Sequence, residues 1–422
     1  VENGVDDHTM TTSLRRSMAT LRSVIRFQAV ETDPVERRLA RAANVADLRR
    51  IARRRLPRGC FDYIDGAAED ERSMAANADA FAASTFRPRV LRGLTDIDTT
   101  TTVLGAPVAY PLVLAPTGFT RIADPQGELA VARSAARAGL PYTLSTLGTR
   151  SIEEVRAVSD GRLWFQVYAW RDRSLVEEMI TRAAAADYEA LVLTVDTAVF
   201  GRRERDVRHG FSLPPKIGAS TIVDGLLHPG WTWAFVRNEP IMFANVIGRH
   251  VGDGSSPVAL ADYINSQFDP TLSWADVEWL RSVWKERIVI KGIQTVADAR
   301  IAADVGVDAI ALSNHGGRQL DDAPSAFSLV APVADAVQDR TAIICDGGVR
   351  RGSDIVKAVA AGASACMAGR AYLYALAAGG ERGVDRLLGW WRDDVRRTMA
   401  LVGTGSVAAL DRSIIDLPRP GR

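Results

Sequence analysis

The sequence predicts an α/β fold, a (β/α)8 TIM barrel, with an N-terminal helical extension and a long loop after strand 4. Three observations predict it. Eight short apolar runs recur along the chain, they do not alternate polar with apolar residues, and Ala-rich helical stretches separate them. Strands without alternation are buried on both faces, as parallel strands covered by helices must be. Eight strand–helix units over 422 residues favour a closed barrel over an open doubly wound sheet.

From the N-terminus, Val1 to Gly59 carries thirteen Arg against seven Asp or Glu, and no Lys. Residues 1–43 are expected to be an Arg-rich mobile segment with an apolar island at Leu21–Phe27; a surface- or membrane-directed arm is the sharper alternative. Residues 44–422 are expected to form the barrel domain. It opens at Asn44, which reads as the N-cap of VADLRRIARRRL, with Pro57 just past that helix. The expected strands are Pro111–Ala115, Tyr142–Ser145, Leu163–Val167, Ala190–Val195, Ile288–Lys291, Asp308–Ser313, Ala342–Asp346 and Ser364–Ala368. Helices are expected in GELAVARSAARAG, SIEEVRAV, SLVEEMITRAAAA, TVADARIAADVG and GSDIVKAVAAG. Between strands 4 and 5, about 199–272, lies a long loop containing HPGWTWAFV and GDGSSP. A loop of that length inside a compact domain is usually functional or mobile.

Composition narrows the function classes. Hydrophobic residues make up 47% of the chain and charged residues 24%, ordinary shares for a globular protein whose core needs no staple or metal. With 52 basic against 51 acidic side chains there is no electrostatic footprint for nucleic acid. Cys60, Cys345 and Cys366 are odd in number, far apart and without a CxxC pair, which excludes a disulfide scaffold and fits a reducing cytoplasm. No apolar run reaches spanning length without a charge or a break, and the chain start does not read as a secretory leader.

A parallel barrel keeps its chemistry at the C-terminal ends of its strands. Those positions hold Pro116, Thr117 and Gly118 at the first strand, Ser145 at the second, Gln166 and Tyr168 at the third, and Thr194 and Asp196 at the fourth. Lys291 ends the fifth, Ser313, Asn314 and His315 the sixth, Asp346, Gly347 and Gly348 the seventh, and Gly369 and Arg370 the eighth. Some of these would serve as helix N-caps whatever the function. Their density points to a site.

Lys291 is one of four lysines against forty-eight arginines. A lysine closing an apolar strand is paired, shifted in pKa or aimed at a ligand anion; a salt-bridged rim lysine is the alternative. DGGVRRG (346–352) and AGR (368–370) follow the last two strands, where barrels commonly hold a phosphate on backbone N–H groups with Arg for charge. Plain turn chemistry is the alternative there. Of five histidines only His315 closes a strand, in SNHGGRQLD (313–321), with Arg318 three residues on. A guanidinium gripping a carboxylate beside an imidazole poised near neutral pH suits a substrate with an acid group and a removable proton. Asp196 is placed to stabilise the imidazolium that results.

With these residues the chain resembles the FMN-dependent L-2-hydroxy-acid oxidoreductases, which include glycolate oxidase, quinone-linked L-lactate and mandelate dehydrogenases and the flavin domain of flavocytochrome b2. The similarity runs from about Asn44 to the C-terminus. SNHGGRQLD carries most of it, supported by LPRGCFDYIDGAAEDE, APTGFTRIADPQGE, FQVY, LTVDT, GRRERD, VIKG, CDGGVRRGSD and AGRAYLY.

The resemblance implies FMN as cofactor and no metal. Pro116, Thr117, Gly118, Ser145, Gln166, Thr194, Lys291 and Ser313 would surround its ring and ribityl chain, with Lys291 facing the N1/C2 carbonyl edge. Asp346, Gly347, Gly348, Arg350, Gly369 and Arg370 would hold the ribityl and phosphate end. Tyr63 and Tyr168 would hydrogen-bond the substrate, Arg203 and Arg318 would hold its carboxylate, His315 would be the base, and Asp196 would orient it. The implied reaction oxidises an L-2-hydroxy acid, L-lactate first, to the 2-oxo acid. The Cα hydrogen leaves as hydride, or as a proton followed by the electrons.

Electrons would pass to a quinone or other acceptor. The alternatives are an oxidase that makes hydrogen peroxide from O2, a mandelate-type dehydrogenase, and, from a different class, an FMN-binding barrel isomerase or scaffold. Leu147 stands where glycolate oxidase has Trp, and Gly118 where it has Ala, which makes room for a substrate larger than glycolate. HPGWTWAFV falls in the loop that carries membrane attachment in some of these dehydrogenases. The implied location is therefore cytoplasmic, with peripheral contact at the inner face of the cell membrane; a loop packed on its own aromatics or on a neighbouring subunit is the alternative. The resemblance also implies a homotetramer.

Overall fold

The computed structural model describes residues 31–209, 218–246 and 266–417. Eight parallel strands close a barrel in chain order: Leu112–Leu114, Tyr142–Ser145, Leu163–Val167, Ala190–Thr194, Arg287–Ile293, Ala309–Ser313, Ala342–Asp346 and Ala365–Ala368. Every expected strand is present. Apart from Arg287 and Ala342, each strand residue is buried, so both faces are covered and no alternation is needed.

The five expected helices form at Gly127–Arg137, Ile152–Ala157, Arg173–Ala185, Val296–Asp304 and Gly352–Ala361. Local signals start three of them. Ser151 and Glu154 make a capping box, Asp172 accepts the Leu175 N–H, and Thr295 accepts the Asp298 N–H. Helices without an expected counterpart include Ala275–Val283, Ala326–Val337 and Arg370–Val402. The last is broken at Gly379 and Gly380, where φ at Gly380 is +61°.

Asn44 caps the Val45–Arg55 helix as expected, accepting the Asp47 N–H. A further helix, Pro34–Leu39, precedes it, and Leu39 is fully buried against Gly379, where a Cβ would stand 2.8 Å from its Cδ1. Arg38 and Arg55 donate through Nε to the carbonyls of Ala378 and Ala377 at 2.6 and 2.8 Å. These carbonyls end a helical segment at the glycine break, where unpaired C=O groups and the negative end of the dipole favour cations. Part of the N-terminal arginine excess is therefore structural. The Leu21–Phe27 island lies outside the described residues.

Among its described residues the long loop holds three short helices, Glu204–Arg208, Ala219–Leu227 and Pro229–Arg237, and returns to the core at Phe243 and Val246. GDGSSP lies outside the described residues.

Candidate active site

The sixth strand ends in SNHGGRQLD, whose conformation is set by long-range partners. Ser313 Oγ accepts the His315 N–H at 3.0 Å. Asn314 exchanges amide hydrogen bonds with Asn77 at 2.8 and 3.1 Å, which ties the loop to the Arg72–Ala83 helix. The Asp321 carboxylate accepts the backbone N–H groups of Arg72 and Ser73, two orphan donors at that helix's start. His315 has φ +56°, followed by Gly316 at +65° and Gly317 at +77°. At Gly317 a Cβ would stand 2.6 Å from the Met74 nitrogen, so only glycine serves.

This turn aims His315 at the fourth strand, and its Nδ1 lies 2.9 Å from Asp196 Oδ1. Burial pushes the imidazole pKa below its ordinary value, with Lys291 and Arg203 acting in the same direction and Asp196 opposing them. Burial works to raise the Asp196 carboxyl, but His315 and Lys291 outweigh it and leave it below the ordinary range. The resting pair is a neutral imidazole beside a carboxylate. Because a carboxylate only accepts, Nδ1 carries the proton and Nε2 is the free acceptor.

Lys291 is 4% exposed. Its Nζ lies 2.9 Å from Asp346 Oδ2 and donates to Ser313 Oγ at 3.1 Å, while Ser313 Oγ donates to Asp346 at 2.8 Å. Burial opposes its charge, yet Asp346 and then Asp196 outweigh burial and raise its pKa. This lysine is salt-bridged and also lines a cavity. Nearby, Ser145 Oγ donates to Gln166 Oε1 at 3.0 Å, and the Thr146 N–H donates to the same oxygen at 3.2 Å. That orients the amide and leaves Gln166 Nε2 buried without a partner.

Arg318 donates through Nη1 to the carbonyls of Tyr63 and Gly66 at 2.7 and 2.8 Å, and its guanidinium lies 5.1 Å from the Tyr63 ring centre. Burial first and Arg203 second push its pKa down. Arg203, at the start of the Glu204–Arg208 helix, lines the same cavity and keeps Nε buried without a partner. Two guanidiniums facing one cavity invite an anion.

All the expected site residues line this one cavity except Asp196 and Ser313, which stand behind His315 and Lys291. The chain matches the FMN-dependent dehydrogenase family over residues 52–417. It belongs to that family. Over 382 residues it is 43% identical to the L-lactate dehydrogenase of Caulobacter vibrioides, covering 90% of this chain and 99% of that protein. Over 374 residues it is 40% identical to glycolate oxidase 1 of Zea mays, covering 88% and 95%. Among solved structures, the monotopic membrane protein (S)-mandelate dehydrogenase superposes with a TM-score of 0.86 at 39% identity, covering 89% of this chain and 99% of that one.

FMN is thus the cofactor, and the donor set fits it. Gln166 Nε2 is a buried donor in want of an acceptor, and such a group is destabilising unless a ligand or water satisfies it. Lys291 adds a fixed cation. Gly347 and Gly348, which also line the cavity, take φ +125° and +82°. A Cβ at Gly348 would stand 2.1 Å from the Asn77 carbonyl oxygen, so packing alone also requires this glycine. Arg370 lines the cavity, yet its guanidinium donates to the carbonyls of Ile64, Gly316 and Gly66 at 3.2, 2.7 and 2.8 Å. It therefore braces the turns beside His315 and Arg318 in addition to lining the cavity.

Several residues of the site had no signal in the sequence. Thr197, just past the fourth strand, and Phe200 and Phe243, from the long loop, line the cavity. Phe243 meets Phe119 edge-on at 4.6 Å between ring centres, and Phe119 meets Tyr63 at 5.9 Å. Asp65 lies two residues past Tyr63 and is 1% exposed. Its carboxylate accepts from both Nε and Nη2 of Arg49, from the Tyr374 hydroxyl at 2.7 Å and from Arg205 Nη1 at 2.8 Å. Burial works to raise this carboxyl, but the bonds from Arg49, Tyr374 and Arg205 hold it at about 2.

Proposed function

We propose that this enzyme oxidises an L-2-hydroxy acid, L-lactate first, to the 2-oxo acid and passes the electrons to a quinone or other acceptor. The observation that carries the reading is the convergence of the His315–Asp196 pair with Arg203 and Arg318 on one cavity. FMN, when bound, supplies the two-electron acceptor that the oxidation requires. Arg203 and Arg318 hold the substrate carboxylate and so fix its C2 hydroxyl toward His315. Tyr63 and Tyr168 hydrogen-bond the substrate; burial raises the Tyr168 pKa and keeps it a neutral donor. His315 accepts the substrate proton at Nε2, and Asp196 stabilises the imidazolium. Lys291 places a fixed positive charge where negative charge develops.

L-Lactate is favoured by the name of the Caulobacter relative and by the absence of bulk at Gly118 and Leu147, which both line the cavity. The same space supports a mandelate-type substrate, in keeping with the structural neighbour's name. Peripheral membrane contact, at the inner face of the cell membrane of a cytoplasmic enzyme, is supported by the loop helices. Leu226 and Leu227 are 71% and 73% exposed, and Trp233 is 58% exposed. Trp231 has a different duty: its Nε1 donates to the Ile122 carbonyl at 2.8 Å and pins the loop to the barrel. Among the described residues no helix is long and apolar enough to cross a membrane. A homotetramer completes the proposal.

The test is turnover of a panel, L- and D-lactate, L-mandelate and glycolate, with a quinone analogue and with O2. The proposal expects L-lactate to lead and the quinone analogue to outpace O2. Peroxide formed at the rate of substrate oxidation would make it an oxidase instead, and flotation with anionic vesicles checks the membrane contact.

A further inference from the structure

Arg203 sits at the start of a five-residue helix, Glu204–Arg208, none of whose residues is buried. Such a helix has no core of its own to hold it in place. Arg205 fastens it, its Nη1 donating to Asp65 Oδ2 at 2.8 Å and its Nη2 to Glu71. One backbone bond supports the same contact, from the Glu69 N–H to the Arg202 carbonyl at 2.9 Å. At the helix's C-cap His209 Nδ1 lies 2.7 Å from Asp62 Oδ2.

The acceptor is itself immobilised. Asp65 is held on its other side by Arg49 and by the Tyr374 hydroxyl, from two further helices. The next residue, Gly66, offers its carbonyl to Arg318 and Arg370, each at 2.8 Å. One short stretch, Asp65–Glu71, therefore fixes both guanidiniums of the carboxylate clamp. It holds Arg318 directly, through Gly66, and Arg203 indirectly, through Arg205.

We propose that Arg205, seated on Asp65, is a positioning residue that sets Arg203 against Arg318 at the spacing the substrate carboxylate requires. The inference rests on the carboxylate clamp proposed above. Arg205 does not line the cavity, so its loss acts on binding geometry and leaves the proton transfer in place. Arg205→Gln is the informative variant. Asp65 keeps Arg49 and Tyr374 as partners in it, whereas Asp65→Asn would strip charge from the buried centre of the network.

The experiment uses the FMN-loaded enzyme and oxalate as a non-reacting carboxylate probe, with its Kd read from the flavin absorbance. KM and kcat are measured in parallel with the best hydroxy acid of the wild type. In Arg205→Gln the oxalate Kd and the KM should both rise roughly tenfold, with kcat within about threefold of wild type. Flavin content and Tm should stay near wild type. An unchanged Kd and KM would overturn the positioning role, and so would a loss of kcat in step with lowered flavin content and Tm, which marks a purely structural part. A wild type that binds no oxalate and oxidises no hydroxy acid would sink the proposed function and this inference with it.

Discussion

Asp196 Oδ1 lies 2.9 Å from His315 Nδ1, and the contact depends on a residue of a third strand. Gly292 has φ +111°, and a Cβ there would stand 2.8 Å from the Asp196 Cβ. The glycine after Lys291 thus admits the Asp196 carboxylate beside His315. Asp196→Asn should keep FMN bound but slow flavin reduction by about 10²-fold, because the imidazolium loses its counter-charge. Rapid-mixing spectrophotometry under anaerobic conditions reads the rate.

The pH dependence follows from the same pair. His315 works as a base only when neutral, and burial lowers its pKa from 6.5. The rate of reduction should therefore be flat above pH 6.5 and fall only as pH drops through the lowered value. Asp196 opposes the lowering, so Asp196→Asn should move the acid limb to still lower pH. A wild-type limb above pH 6.5 would contradict the neutral resting state.

The clamp makes a chemical prediction. Arg318 is fixed by two carbonyl bonds and by the Tyr63 ring, a geometry that a lysine ammonium cannot copy. Arg318→Lys should lower both the apparent affinity for the hydroxy acid and the reduction rate. Methyl lactate should be a poor substrate of the wild type. Equal turnover of ester and acid would show that the two arginines do not hold a carboxylate.

The proposed substrate pocket includes Gly118 and Leu147, where the first two strands end. A Cβ at Gly118 would stand 3.1 Å from the Leu147 Cβ, tighter than ordinary contact. Gly118→Ala should lower kcat/KM for longer 2-hydroxy acids relative to glycolate by about 1–3 kcal/mol, or roughly 10–200-fold. An unchanged ratio would place the substrate side chain elsewhere.

Much of this was legible in the sequence because it depends on local pattern. Strands buried on both faces lose alternation, so all eight barrel strands stood out, and strand ends then placed His315, Lys291 and the glycine turns. Two of the helices that were missed have interrupted patterns: Ala326–Val337 contains Pro332, and Arg370–Val402 is broken by two glycines. What could not be read is pairing at a distance. Asn77 and Asn314 are 237 positions apart, and their mutual fit appears only once the barrel brings the N-terminal extension over the sixth strand. The same holds for Phe243, since no periodicity says where an irregular loop returns. Arg205 and Asp65 lie inside GRRERD and FDYID, beside Arg203 and Tyr63, but only the fold shows that they join.

The most direct measurement compares anaerobic flavin reduction in the wild type and in His315→Gln, each loaded with FMN and mixed with L-lactate. The wild-type flavin should bleach fully, while His315→Gln should bind FMN normally and bleach about 10²–10⁴-fold more slowly. Equal rates in the two proteins would show that the proton leaves by another route and would contradict the role given to His315.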